Sequence, residues 1–134
     1  MKNTAFKLIT LMILSLNVKG QDKIEYKSGQ IHTIFFKEDK IISDIPMGKD
    51  VTITYDKFYK SYSLFIVMED GWTNFNFSYV SDEEDNFKRY KDKKTEEYYI
   101  IFDSMNINGE FVFIRALKRD GITITYKVTG LKKE

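Results

Sequence analysis

The chain has 134 residues, a length that fits one domain. Its 21 basic residues against 20 acidic ones leave a net charge of +1, which excludes the basic footprint of a nucleic-acid binder. There is no cysteine, so disulfide staples, thiolate metal sites and lipidation at a cysteine are excluded as well.

The first twenty residues, MKNTAFKLITLMILSLNVKG, have the layout of a secretory signal peptide. Lys2 and Lys7 precede an apolar run from Leu8 to Leu16, and Val18 and Gly20 are small residues suited to cleavage before Gln21. The run is shorter than the roughly 20 residues a membrane span takes. The prediction is a signal peptide over 1–20 and a single β domain over 21–134, secreted or periplasmic and not membrane-spanning after cleavage. Lys2, Lys7 and Lys19 leave with the peptide, so basic residues fall from 21 to 18 against 20 acidic ones, a net charge of −2. This balance offers no general attraction to anionic membranes. Without staples, stability rests on a core rich in Phe, Tyr, Ile and Val, which also favours strands.

Beyond Gln21, apolar and polar residues alternate with the period of two expected of half-buried strands. Strands are predicted near 23–27, 31–37, 40–45, 50–56, 61–68, 72–80, 97–105, 110–118 and 122–128. Asp70-Gly71, Asn108-Gly109 and Asp120-Gly121 suit the positive φ of tight hairpins, and Ser28-Gly29 and Pro46-Met47-Gly48 mark two further turns. The stretch SDEEDNFKRYKDKK, Ser81 to Lys94, breaks the pattern. Ser81 and Glu84 fit a capping box, acids precede bases as a helix dipole prefers, and Phe87 and Tyr90 lie one helical turn apart. One short helix near 82–92 is predicted, with a charged loop as the alternative. Successive hairpins give an all-β fold, a single antiparallel meander closed into a small barrel or folded into a two-layer sandwich.

Turn positions predict which face is inside. A two-residue Asp70-Gly71 turn pairs Tyr62 with Tyr79, Leu64 with Phe77 and Ile66 with Phe75, an almost wholly apolar face. A two-residue Asp120-Gly121 turn pairs Leu117 with Ile124, Arg115 with Tyr126 and Phe113 with Val128. Because Ile122, Ile124, Tyr126 and Val128 alternate with polar residues, Arg115 is predicted to point inward. The Asn108-Gly109 hairpin sets either Phe102 or Ile100 opposite it.

A buried charge must be paired or must contact something. Arg115 therefore reaches water at a rim, pairs with an inner acid such as Glu25 or Asp103, or anchors a ligand carboxylate or phosphate in a cavity. In the last case Tyr126, Phe113, Phe102, Tyr98, Tyr62 and Tyr79 supply the lining. An eight-to-nine-strand secreted meander with an inward Arg–Tyr pair resembles the lipocalin and calycin group of binding barrels in architecture. That resemblance implies one small apolar or anionic ligand inside the barrel. The Gly-x-Trp signature is absent, since Trp72 follows Gly71 directly. The alternative function is a protein–protein interaction module, an inhibitor or envelope-associated protein, using Trp72, Phe58 and Tyr59. No catalytic constellation, cofactor motif or metal pattern is legible: His32 is the only histidine, no Gly-x-Ser-x-Gly turn exists, and Asp82 to Asp85 lack the spacing of a calcium loop.

Overall fold

The structure is a computed structural model and describes residues 22–84 and 87–134. The predicted signal peptide lies outside the described residues. Its strands are β1 (Lys23–Ser28), β2 (Gln30–Lys37), β3 (Lys40–Gly48), β4 (Asp50–Asp56), β5 (Ser61–Met68) and β6 (Gly71–Asp82). They continue as β7 (Lys88–Asp92), β8 (Tyr98–Ser104), β9 (Glu110–Arg115), β10 (Ile122–Thr129) and β11 (Lys132–Lys133). All eleven belong to one antiparallel sheet, ordered β11-β1-β4-β5-β6-β7-β8-β9-β10-β2-β3.

The sheet folds over on itself instead of closing. No ladder joins its outer strands, β11 and β3, so the expected closed barrel is corrected to an open, folded-over sheet. The chain passes between the two layers at Gly29, between β1 and β2, and at Lys49, between β3 and β4. There a single backbone bond runs from Lys49 to the Val67 carbonyl at 2.8 Å. Aromatic contacts cross the interior: Phe75 of β6 lies 5.1 Å from Phe113 of β9 and 5.7 Å from Tyr126 of β10. Tyr62 of β5 meets Phe111 of β9 at 4.9 Å. Around these rings Ile31, Val51, Ile53, Leu64, Ile66 and Val128 are fully buried, which is where a chain without disulfides finds its stability.

Three sequence expectations are corrected. Among the described residues of 82–92 there is no α-helix, and Lys88–Asp92 is strand β7. Tyr90 and Asp92 are buried there, Lys88 shares their face at its exposed end, and Arg89 and Lys91 lie on the other face, so charges on both faces mask a period of two. Tertiary pairing overrides the local helix signals, because β7 joins β6 to β8 and leaves neither as an edge. Asp92 is buried and accepts from the Asn76 and Lys94 amides and the Thr95 hydroxyl, which holds the following turn.

The β5–β6 register is shifted by two residues. The turn is Glu69-Asp70, and Tyr62 faces Phe77 while Leu64 faces Phe75. An even shift leaves the faces unchanged, so the predicted inner set holds. At the β9–β10 hairpin, Asp120 and Gly121 take φ of 55° and 73°, as a type I′ turn requires, and Arg119 bridges Ile122. The ladder then slips by two, setting Phe113 rather than Arg115 against Tyr126. Leu117 lies in the slipped segment and is exposed, contrary to its expected inward position.

Candidate functional site

Arg115 points inward, at the last position of β9, next to the interlayer aromatic cluster. Five residues, Met105 to Gly109, connect β8 to β9, with Met105–Asn108 forming a helical turn. This odd-length connection reverses the parity expected of β8. Tyr99 pairs with Arg115, and Tyr99, Ile101 and Asp103 share the inner face. Phe102 and Tyr98 therefore point outward, and their expected place in an inner lining is corrected. Phe102 packs on Phe87 at 4.4 Å, and Tyr98 lies beneath Arg89 and Lys91.

The acid that Arg115 meets is neither Glu25 nor Asp103. One guanidinium nitrogen, Nη2, donates to Glu97 Oε1. Glu97 Oε2 accepts from the Tyr99 hydroxyl at 3.3 Å. The Arg115 side chain is 19% exposed, so this is a rim pair whose stem is buried and whose head remains near water. Inward of it the space is occupied, with Phe113 stacked on Tyr126 at 4.6 Å and 12°. The partner of Arg115 is thus Glu97 at the rim, in place of Glu25 or Asp103. Arg115→Met alone is expected to lose about 1–3 kcal/mol of stability, because it strands the Glu97 carboxylate. Adding Glu97→Gln should recover most of that loss in a denaturant double-mutant cycle. A ligand-anchoring arginine would show no such rescue.

The inner tyrosines gather at another end of the folded sheet. Tyr55 and Tyr62 face each other across β4 and β5 and stack at 4.7 Å, and Tyr90 meets Tyr62 edge-on at 5.3 Å. Asp103, at the end of β8, accepts from the Tyr62 hydroxyl at 2.5 Å and from the Met105 amide at 3.1 Å. These groups, with Lys88 and Asn106, line an open pocket of about 370 Å³. The helical turn after β8 forms its lip: Tyr26 donates to the Asn106 side chain, and Ile107 stands 88% exposed beside the opening. Of the residues expected to line a site, Tyr62 is here. Tyr79 lies behind it, 5.8 Å from Tyr90, with its hydroxyl bonded to Asp82. In the sequence Asp103 is legible only as a partner for Arg115, Tyr90 only as a helix-contact residue with Phe87, and Tyr55 not at all, because contacts between distant strands leave no mark on local pattern.

Asp103 places a carboxylate among the buried tyrosines of the pocket. Burial holds the Tyr62 proton well above the usual tyrosine range, and the adjacent Asp103 charge adds to it. Tyr90 is pushed up to about 12, mainly by burial. An unfolded chain releases tyrosine protons near pH 10. Below that pH the stability is fully present, and it is lost as pH rises through 10 toward 12, because the unfolded state ionises first. The denaturant midpoint should therefore stay level up to about pH 10 and fall above it. The tyrosinate absorbance of Tyr62 and Tyr90 should appear only as the protein unfolds, and Tyr62→Phe should soften the decline.

The outward aromatics form two separate pairs. Trp72 is 63% exposed and stacks on Phe65 at 5.3 Å. Phe58 and Tyr59, also exposed, pack edge-on at 4.9 Å in the β4–β5 turn. The pairs lie at opposite ends of β5, so Trp72, Phe58 and Tyr59 do not form one cluster. His32 makes a surface pair with Asp44 at 2.7 Å. Among the described residues no group of three or more His, Cys, Asp or Glu is placed to hold a metal, and no helix is long and apolar enough to cross a membrane. Compared with protein-family models, curated proteins and solved structures, the chain matches none.

Proposed function

We propose that the protein is an exported binding protein for a small ligand, and that its site is the tyrosine-walled pocket around Asp103 instead of a cavity at Arg115. The observation that carries this reading is the pocket itself: an opening lined by Tyr55, Tyr62, Tyr90, Ile101 and Ile107 that holds one carboxylate, Asp103, oriented by the Tyr62 hydroxyl and the Met105 amide. Its volume of about 370 Å³ lies in the usual range for small-molecule sites. Export rests on the signal-peptide layout of residues 1–20, and the intact mass of the exported chain should start at Gln21.

The test compares small molecules released from purified wild-type protein with those from Asn106→Trp, whose indole would lie across the pocket mouth. A compound that co-purifies with the wild type and is lost from the variant supports the reading. Equal recovery from both, or none from either, refutes it.

A second reading, an interaction module, is favoured by the exposed Phe65–Trp72 stack on the outer face of β5 and β6. Aromatic side chains of this kind anchor protein interfaces. If a partner docks there, Trp72→Ala abolishes its binding while the ligand recovered from the pocket is unchanged.

A further inference from the structure

We propose that the outer face of β5 and β6 binds an uncharged sugar chain, with the open side of the Trp72 indole as the platform on which one sugar ring stacks. This is independent of the Asp103 pocket, and it gives the Phe65–Trp72 stack a glycan in place of a protein partner.

Alternation along the strands sets the face. Tyr62, Leu64, Ile66 and Phe77 are buried, so Ser63, Phe65, Trp72, Asn74 and Asn76 stand on the other side of the sheet. Trp72 pairs with Val67, and Phe65 with Asn74. Phe65 lies against one side of the indole at 5.3 Å and 29°, yet Trp72 remains 63% exposed, so its second side meets water. The stack holds the indole in place, which lowers the ordering cost of whatever lies on it. A sugar ring presents C–H groups on its flat side, and these suit the electron-rich face of an aromatic ring.

The surroundings choose the occupant. From Ser61 to Val67 and from Trp72 to Ser78, no outward position carries a charge, in a chain that is 31% charged. Solvated faces usually hold charges of both signs. Beside the stack stand amides and hydroxyls instead: Asn74 and Asn76 on β6, Ser63 on β5, and Thr52 and Thr54 opposite Phe65 and Ser63 on β4. Charges resume at the border of this block, with Asp50 and Asp56 on β4 and Lys91 on β7. Amides and hydroxyls both donate and accept, as sugar hydroxyls do. An uncharged ligand cannot compensate a charge that it strips of water, and within the block it meets none. Side chains two residues apart on a strand stand about 7 Å apart, so Asn74 and Asn76 follow Trp72 as contacts for the next sugar units.

Trp72 is the sole tryptophan, so its fluorescence reports on this face alone. Cellohexaose, xylohexaose and mannohexaose serve as neutral probes and heparin as an acidic one, with affinities from calorimetry. At least one neutral probe should shift the Trp72 emission and bind equally well from about 0.05 to 0.5 M salt, because there is no charge for salt to screen. Trp72→Ala should weaken that probe about tenfold and Asn74→Ala about threefold, the losses of one stacked ring and one hydrogen bond. An unchanged denaturant midpoint shows that each variant keeps its fold. Asn106→Trp, which closes the Asp103 pocket, should bind the probe as the wild type does.

Silence from all three neutral probes overturns the proposal and leaves the stack to a protein partner. Binding of heparin alone, fading with salt, overturns it in favour of an anion beside Lys91. Neutral-probe binding that survives Trp72→Ala and is lost in Asn106→Trp overturns this site and places the sugar in the pocket.

Discussion

Phe113→Ala is expected to lose about 3–5 kcal/mol of unfolding free energy, the range for removing a fully buried phenylalanine. Phe113 has no exposed surface and sits where the two layers of the sheet meet. It stacks on Tyr126 and presents its ring to Phe75, Phe77 and Tyr99 at 5.1, 5.3 and 5.9 Å. Removing it leaves a void that four rings from three other strands cannot easily fill. There is no disulfide to offset the loss. The denaturant midpoint should fall with little change in slope, which marks a loss of stability without a change in the denatured state. Ile114→Ala, its outward neighbour, is the control and should lose under about 1 kcal/mol. The contrast also decides between a packed and a hollow interior. A ring lining an open cavity has few partners to lose, and its removal would fall well short of the range above.

Side-chain parity survived errors that defeated the finer expectations. A β5–β6 turn expected one residue too late shifts the pairing by two, yet Tyr62, Leu64, Ile66 and Phe77 are inside because an even slip preserves the face. The five-residue connection before β9 did the opposite. The sequence marks a turn at Asn108-Gly109 but does not say that the chain makes a helical turn first, and that single residue of parity moved Phe102 and Tyr98 to the outer face. Strand β7 is hidden because Lys88 and Asp92 share one face with Tyr90 while Arg89 and Lys91 share the other, so polarity carries no alternation there.

Arg115 was legible as an inward charge, but its partner was not. Glu97 lies just before β8, across from Arg115 only when Tyr99 is its paired residue. The candidate site was least legible of all. Tyr55, Tyr62, Tyr90 and Asp103 come from four strands, and their meeting depends on how far the sheet folds over. No local pattern encodes that distance.

Gly48→Ala probes the fold-over directly and is expected to lose about 1–3 kcal/mol, the usual range for overpacking a tight contact. Gly48 ends β3 just before the chain crosses to the other layer at Lys49, and it pairs with Ile31. A Cβ placed there would lie 2.7 Å from Ile66 Cγ2, 3.0 Å from the Val67 carbonyl oxygen and 3.3 Å from Ile31 Cγ2. Ile66 and Ile31 are both fully buried, and the third contact is backbone, so none can yield without moving the corner. Gly48→Val should exceed the alanine loss.

Ile66→Ala removes the nearest obstacle, and the double variant should therefore be more stable than the two single losses predict, a favourable coupling of about 0.5–3 kcal/mol. Additive losses would mean that the layers do not meet at this corner. The tyrosine pocket gives the second readout. Gly48 lies beside the Val67 end of β5, whereas Tyr62 stands at the opposite end of that strand. In native conditions the variant should keep the ring signals of Tyr55, Tyr62 and Tyr90, because the corner and the pocket share a strand but no side-chain contact. Losing them would show that the fold-over angle at Gly48 sets the pocket's width, and that the site is built from both ends of the sheet.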